Sequence, residues 1–494
     1  MYCPSKSFIF FYKNYDIIQE SEKGVNQVKM NWDQLLDDER RRKTNVNYAK
    51  SKDVRSAFEN DYQRIVMSAS FRRLQDKTQV FPLEKSDFIR TRLTHSIEVS
   101  TIAKSMGSMV AYHLLETGLD PELTKEHAEK IPEVLSCAGL LHDMGNPPFG
   151  HFGEESIREW FQLNMDQLAY GDHFISDILE PQMQQDFFNF EGNAQVLRVV
   201  SKLHYQFDDY GMNLTYATLN SIMKYPVSSL EISKKEIRSK KMGYFYADQE
   251  LFEDVTNSTG ARSKRHPLTY LLEVADDIAY LNADLEDGMK KGIVTVAQML
   301  EEFEAVEEPN RVTATVHQEL IKRSERYKDH DDSFTGQQWI ASSLRGQLIN
   351  RSLEVFYEHY FEIMEGTFNE SLIDASEAKQ LVQILQQLSR KYLYQDKGVL
   401  ETELAGSEII SSLLDMFVPA AIYYDSKNSH LETMKSKRLM ALISDNYIGC
   451  YFKNAEGQDD TTKLYLRLLL ITDFICGMTD SYAKDLYQKL HGLN

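Results

Sequence analysis

His142 and Asp143 stand side by side at the end of an apolar run containing Val134, Leu135, Ala138, Leu140 and Leu141. An imidazole nitrogen and a carboxylate oxygen in adjacent positions can bind one ion together or bridge two. His151 follows nine positions later and Glu154 three after that, a helical (i, i+3) step across which a proton can be shared. Two more ligand types lie elsewhere: His95 in Arg92-Leu93-Thr94-His95-Ser96, and Asp276 in Val274-Ala275-Asp276-Asp277-Ile278. His95, His142, Asp143 and Asp276 would leave about two positions of an octahedral ion open for water and a substrate oxygen. The expectation is one divalent ion per chain. Mixed nitrogen and oxygen ligation favours Mn2+, Fe2+, Co2+ or Ni2+ by affinity, and availability adds Mg2+.

These groups need rigid elements, and the apolar spacing predicts helices. Leu93, Ile97, Ile102, Met106, Met109 and Val110 mark one, Val134 to Leu141 a second ending at Gly145 before Pro147-Pro148, and Leu271, Val274, Ala275, Ile278 and Leu281 a third. Asp276, Tyr280 and Asp284 fall at i, i+4 and i+8, nearly one row of that third helix. Tyr280 could pack on a sugar while Asp284 accepts a hydroxyl proton; core packing and a surface charge are the plain alternatives. Alternating apolar runs are scarce, so the fold class is all-α. Residues 240–266 read as a polar loop or small hairpin, and 453–462 as an exposed loop. Without repeats or linkers, 30–494 reads as one helical body. Met30-Asn31-Trp32 resembles a natural start, so 1–29 is expected to be a disordered extension or a misassigned beginning.

Composition narrows the class. The 494 residues are 42% hydrophobic and 26% charged, enough for a large globular core. Cys3, Cys137, Cys450 and Cys476 show no paired spacing, which fits a reducing cytoplasm and argues against disulfides or a cysteine zinc site. Phe8-Ile9-Phe10-Phe11-Tyr12 is too short to span a membrane, so no membrane partner is expected. A net charge of -20 argues against nucleic-acid binding over the whole surface. Arg40-Arg41-Arg42-Lys43, Lys234 to Lys241 and Arg262 to His266 are local basic stretches, readable as solvated faces or as phosphate-binding patches.

The ordered set His95, His142-Asp143 and Asp276 resembles the signature of the HD-domain phosphohydrolases. Its surroundings resemble the deoxyguanosinetriphosphate triphosphohydrolases: Ser70 to Phe81, Arg90 to Ser96, His142 to Glu154, Phe190 to Gln195, Leu214 to Leu219, Lys224-Tyr225-Pro226, Arg265-His266-Pro267, Ala275 to Tyr280, and Asp473 to Asp480. These segments span nearly the whole chain, with an HD core expected over 92–281. The resemblance implies hydrolysis of dGTP to deoxyguanosine and inorganic triphosphate. Such a reaction needs an activated water, charge relief at the α-phosphate and an acid for the departing 5′ oxygen.

Carried over residue by residue, the resemblance makes His151 the catalytic histidine and Glu154 its acidic partner. Arg92 becomes a phosphate contact, Lys224 and Tyr225 triphosphate contacts, Gln79 a 3′-hydroxyl contact and Val80 the residue that would crowd a 2′ hydroxyl. Related animal dNTPases carry a histidine where Asn146 stands and an aspartate at Glu154, so Asn146 receives no acid role. Asn193, Glu191 and Asp277 are candidates for the base, although capping or ion pairing explains each equally well. The resemblance further implies a homo-oligomer, commonly a hexamer, with single-stranded DNA as a possible effector. A broader dNTP triphosphohydrolase, an HD-type nucleotidase and a single-stranded-DNA-responsive regulator with a vestigial site are the alternatives; the intact ligand set counts against the last.

Overall fold

The computed structural model describes residues 29–42, 54–83, 86, 88–204 and 210–493. Cys3, the Phe8 to Tyr12 cluster and Lys43 therefore lie outside the described residues, as does the expected extension apart from Lys29.

Helix α1 (Arg92–Thr117) starts where the Thr91 side chain accepts the Thr94 N–H, and it ends at Gly118 in the left-handed conformation. Its inner face buries His95, Val99, Ala103, Met106 and Val110. Ile97 and Met109, expected on that face, are instead 48% and 42% exposed. Helix α2 (Lys125–Leu141) packs along it. A Cβ on Gly139 would lie 2.5 Å from Ser100 Cα, so glycine is what lets the two backbones meet. The second helix stops at Leu141, one turn before the expected Gly145, and His142 is its cap.

Helix α3 (Gly150–Asn164) follows Pro147-Pro148, and a two-residue hairpin, β1 (Ala169–Tyr170) with β2 (His173–Phe174), comes next. Helix α4 (Gly192–Arg198) precedes the segment read from sequence as a loop or hairpin. That reading is corrected: 240–266 contains no strand among the described residues, and Gln249–Ser258 is an amphipathic helix burying Leu251, Phe252 and Val255. Its apolar residues are too few and too spaced by acids to announce a core element.

Helix α5 (Pro267–Lys290) begins with proline, whose missing N–H costs nothing there, and the His266 ring accepts the Leu268 N–H. Helices α6 (Lys397–Ala421), α7 (Asp460–Cys476) and α8 (Asp480–His491) complete the set needed for the site. The expected loop 453–462 shrinks to 456–459, because one helix runs to Ala455 and α7 starts at Asp460. By length and composition α6 could cross a membrane, with 56% of its most apolar window buried inside the protein.

Among the described residues the fold is all-α apart from that hairpin. Two large apolar clusters form its interior. One gathers Val99, Met106, Leu135 and Leu271 from α1, α2 and α5; the other gathers Phe149, Ile157, Phe417 and Leu468 around α3, α6 and α7. His95 and Asp276 stand on helices of the first and His142-Asp143 follow the end of α2, while His151 and Glu154 ride on α3 in the second.

Candidate metal centre and active site

His142 sits where the backbone of α2 unwinds, and its Nδ1 lies 2.8 Å from the Gly139 carbonyl. A carbonyl can only accept, so Nδ1 carries the proton and the Nε2 lone pair faces inward. Nε2 is buried without a hydrogen-bond partner. It lies 3.3 Å from Asp276 Oδ1, and His95 Nε2 lies 3.2 Å from the same oxygen. Ligand atoms of His95, His142 and Asp276 all fall within 4.8 Å of one another. An orphaned buried nitrogen converging with an imidazole and a carboxylate is the donor set a divalent ion takes.

Asp143 flanks this trio, with Oδ2 3.6 Å from His142 Nε2. Both its oxygens are also engaged elsewhere: Arg92 Nη1 donates to Oδ2 at 2.7 Å and Asn146 Nδ2 to Oδ1 at 2.6 Å. Burial disfavours the Asp143 charge, but Arg92 and His142 outweigh it and hold the carboxyl well below the usual range. Asn146 thus orients the Asp143 carboxylate. On the far side, Lys224 Nζ donates to Asp276 Oδ2 at 2.9 Å, and Tyr225 is buried beside it. Arg92 and Lys224 accordingly bracket the cluster with positive charge.

His151 Nδ1 lies 3.4 Å from Glu154 Oε2, and the His151 side chain is 72% exposed while Glu154 is buried. The hydrogen bond that Glu154 accepts from the ring raises the His151 pKa above its ordinary value. Glu154 is pushed up by burial and pulled further down by His151, leaving it ionised. Gly192 N–H donates to Glu154 Oε1 at 2.8 Å.

His151 opens onto a cavity of about 410 Å³ whose lining includes Gln79, Val80, Phe149, Tyr280, Tyr394 and Glu403. Gln79 Oε1 is buried without a partner. Gly150, also in the wall, is pressed so close to Arg92 that a Cβ would lie 2.6 Å from its guanidinium. Through that contact and Arg92 the cavity abuts the ligand cluster, and Tyr280 stands one turn beyond Asp276.

Three expected contacts sit differently. Asp284 does not line the cavity; it is fully buried behind Tyr394, whose hydroxyl donates to it and lies 3.1 Å from the Tyr280 hydroxyl. The i+8 position has drifted around the helix, and burial pushes the Asp284 carboxyl up to about 8. Asn193 donates to Glu191 at 2.6 Å, and Glu191 also pairs with Lys241 at 2.8 Å. Asp277 lies in a neighbouring cavity of about 400 Å³ on the other side of Tyr280 and Tyr394. Sequence reasoning missed Tyr394, Glu403 and Lys241. Only Lys241 carried a signal, as the end of a basic stretch.

Residues 92–257 match the HD domain family. The chain is 70% identical over 94% of its length to the whole of a deoxyguanosinetriphosphate triphosphohydrolase-like protein of Listeria monocytogenes. It belongs to the deoxyguanosinetriphosphate triphosphohydrolase family. A Yersinia enterocolitica protein named deoxyguanosinetriphosphate triphosphohydrolase is 32% identical over 89% of this chain and 94% of its own. A triphosphohydrolase-like protein of Synechocystis is 32% identical over 94% of this chain and its own full length. The HD match ends before Asp276, and that candidate ligand stands on α5, beyond the matched range.

Proposed function

We propose that this chain is a metal-dependent dGTP triphosphohydrolase, in which water and dGTP give deoxyguanosine and inorganic triphosphate. The observation that carries this reading is the unpartnered His142 Nε2 converging with His95 and Asp276, beside a cavity bounded by Gln79, Val80 and His151. The names of the relatives support the substrate. His95, His142, Asp143 and Asp276 would hold one divalent ion, Mg2+ or Mn2+, with Fe2+, Co2+ or Ni2+ as alternatives. When bound, the ion supplies Lewis acidity at the α-phosphate and an activated water.

The protein's own groups account for the remaining chemistry. Arg92 and Lys224 place fixed cations beside the α-phosphate, and Tyr225 and Lys241 extend that surface along the triphosphate, countering an acidic protein overall. His151 holds a proton on the imidazole that Glu154 orients, and delivers it to the departing 5′ oxygen. Gln79 meets the 3′ hydroxyl, Val80 closes the space a 2′ hydroxyl would need, and Tyr280 packs on the sugar with Asp284 behind it. Asn193 and Glu191 brace the His151 side. For guanine we favour Glu403, a half-buried carboxyl in the cavity wall that burial pushes up to about 7. When ionised it can accept from N1–H and the exocyclic amine together.

Residues 92–281 would form the HD core of a body spanning 30–494. A DNA-binding role for the first and third basic stretches is weakened by internal pairing: Arg40 with Asp61 at 2.5 Å, and buried Arg265 with Glu273 at 2.9 Å. The deciding experiment incubates the protein with each dNTP and NTP under Mg2+ and Mn2+, reading nucleoside and triphosphate. Fastest turnover of dGTP with triphosphate as first product is expected. Equal turnover of all dNTPs would favour the broader hydrolase, and pyrophosphate or orthophosphate as first product would overturn the mechanism.

A further inference from the structure

One buried carboxylate ties the two walls of the cavity together from behind. Thr78 leads into Gln79 and Val80 on one wall, Phe149 leads into Gly150 and His151 on the other, and all six line the cavity. Asp480, the first residue of α8, is 1% exposed. Its Oδ1 accepts the Phe149 N–H at 2.9 Å, and its Oδ2 accepts both the N–H and the hydroxyl of Thr78, at 3.0 and 2.6 Å. Burial pushes this carboxyl upward, and the Thr78 and Phe149 donors work against that.

Neighbouring contacts keep both walls in register. Thr78 bridges Thr91 in antiparallel fashion, and the Lys77 carbonyl accepts the Arg92 N–H at 2.9 Å, so this wall is fixed to the start of α1. Lys77 itself is buried and donates to the carbonyls of Asn146 and Cys476, each at 2.6 Å. Ser481 donates to Asp76 at 2.8 Å. Phe149 holds a left-handed backbone, φ 62, which side-chain-bearing residues rarely keep without an external hold.

We propose that Asp480 is a positioning residue that sets the gap between the Gln79–Val80 wall and the His151 loop, and thereby the discrimination between 2′-deoxy and 2′-hydroxy nucleotides. This rests on reading the cavity as the deoxynucleotide site. Steric exclusion of one hydroxyl works only against a wall that cannot yield by about an ångström, and a misplacement of that size also costs roughly a hundredfold in catalysis. Asp480 touches no substrate in this arrangement; it acts through Thr78 and Phe149.

The test compares kcat and KM for dGTP and GTP in the wild type, Asp480→Asn, Thr78→Val and Thr78→Ser, with thermal midpoints alongside. Asp480→Asn turns an amide NH2 toward one set of donors, Thr78→Val removes only the hydroxyl donor, and Thr78→Ser keeps it. Expected are a fall of at least tenfold in the dGTP-to-GTP ratio of kcat/KM for Asp480→Asn, a smaller fall for Thr78→Val, and the wild-type ratio for Thr78→Ser. A ratio within twofold of wild type in folded Asp480→Asn, whatever its absolute rate, overturns the proposal; if that variant does not fold, Thr78→Val decides on the same criterion. A wild type inert toward dGTP would instead refute the functional reading, and the clamp is then judged on whichever deoxy and ribo pair the protein hydrolyses.

Discussion

Gly192 holds Glu154 by its backbone: its N–H donates to Oε1 at 2.8 Å, which leaves Oε2 facing His151 Nδ1 at 3.4 Å. A Cβ at position 192 would lie 2.4 Å from that Oε1 and 2.2 Å from Asn146 Oδ1. Gly192→Ala should therefore displace the proton-holding pair and the residue that orients Asp143 together. We expect turnover to fall roughly a hundredfold, for about 1–3 kcal/mol of lost stability. Steady-state kinetics beside a denaturant titration checks it; wild-type kcat would show that the pair does not depend on this contact.

The His151–Glu154 pair also predicts a pH response. Glu154 raises the His151 pKa, so the protonated imidazole persists to higher pH than that of a free histidine. If His151 donates the proton, kcat declines as pH rises through that raised value. In Glu154→Gln the support for the charged form is gone, and the alkaline limb should move to lower pH. A limb that stays in place in the variant's kcat profile would remove His151 from the donor role.

Metal binding and proton transfer should separate by mutation. His142→Ala deletes the nitrogen that has no other partner and is expected to abolish both bound ion and activity. His151→Ala should retain the ion yet lose roughly 10²–10⁴-fold in turnover, the usual worth of a general acid. Metal content by elemental analysis, measured with kcat, distinguishes them. Chelation should silence the wild type and re-addition of Mn2+ restore it.

His266 predicts an acid-labile fold. Its Nε2 donates to the Leu35 carbonyl at 2.9 Å and its Nδ1 accepts from Leu268 N–H, so the buried ring is neutral, and burial pushes its pKa down to about 4. A histidine whose folded pKa lies below its unfolded value of about 6.5 resists protonation only while folded. Its contribution is complete above about pH 6.5 and is lost as pH falls toward 4, on the order of 3 kcal/mol in full. Thermal midpoints from pH 7.5 to 4.5 should fall more steeply for the wild type than for His266→Asn, which begins less stable at neutral pH. Parallel curves would contradict this.

The helices that position the candidate ligands were legible because a 3.6-residue apolar period survives in any single sequence. The same logic failed for Gln249–Ser258, whose burial comes from neighbours it meets only in the fold. It failed also for Asp284, where exact helical drift and the approach of Tyr394 from a distant segment decide which way a carboxyl faces.

By itself the sequence determined the all-α class and offered the types and order of the candidate ligands: His95, His142, Asp143 and Asp276, with His151 and Glu154 one helical step apart. Local spacing gives the helices and the His142-Asp143 and His151-x-x-Glu154 steps, while the family resemblance joins them with His95 and Asp276 into one set. Tertiary structure alone decided that Asp143 is shared with Arg92 and Asn146, that Gly192 aims Glu154, that Glu403 and Tyr394 complete the cavity, and that Asp480 ties its walls. Apart from the local Asp143–Asn146 contact, each of those brings together residues far apart in the chain, which only the packing of the helices against one another can do.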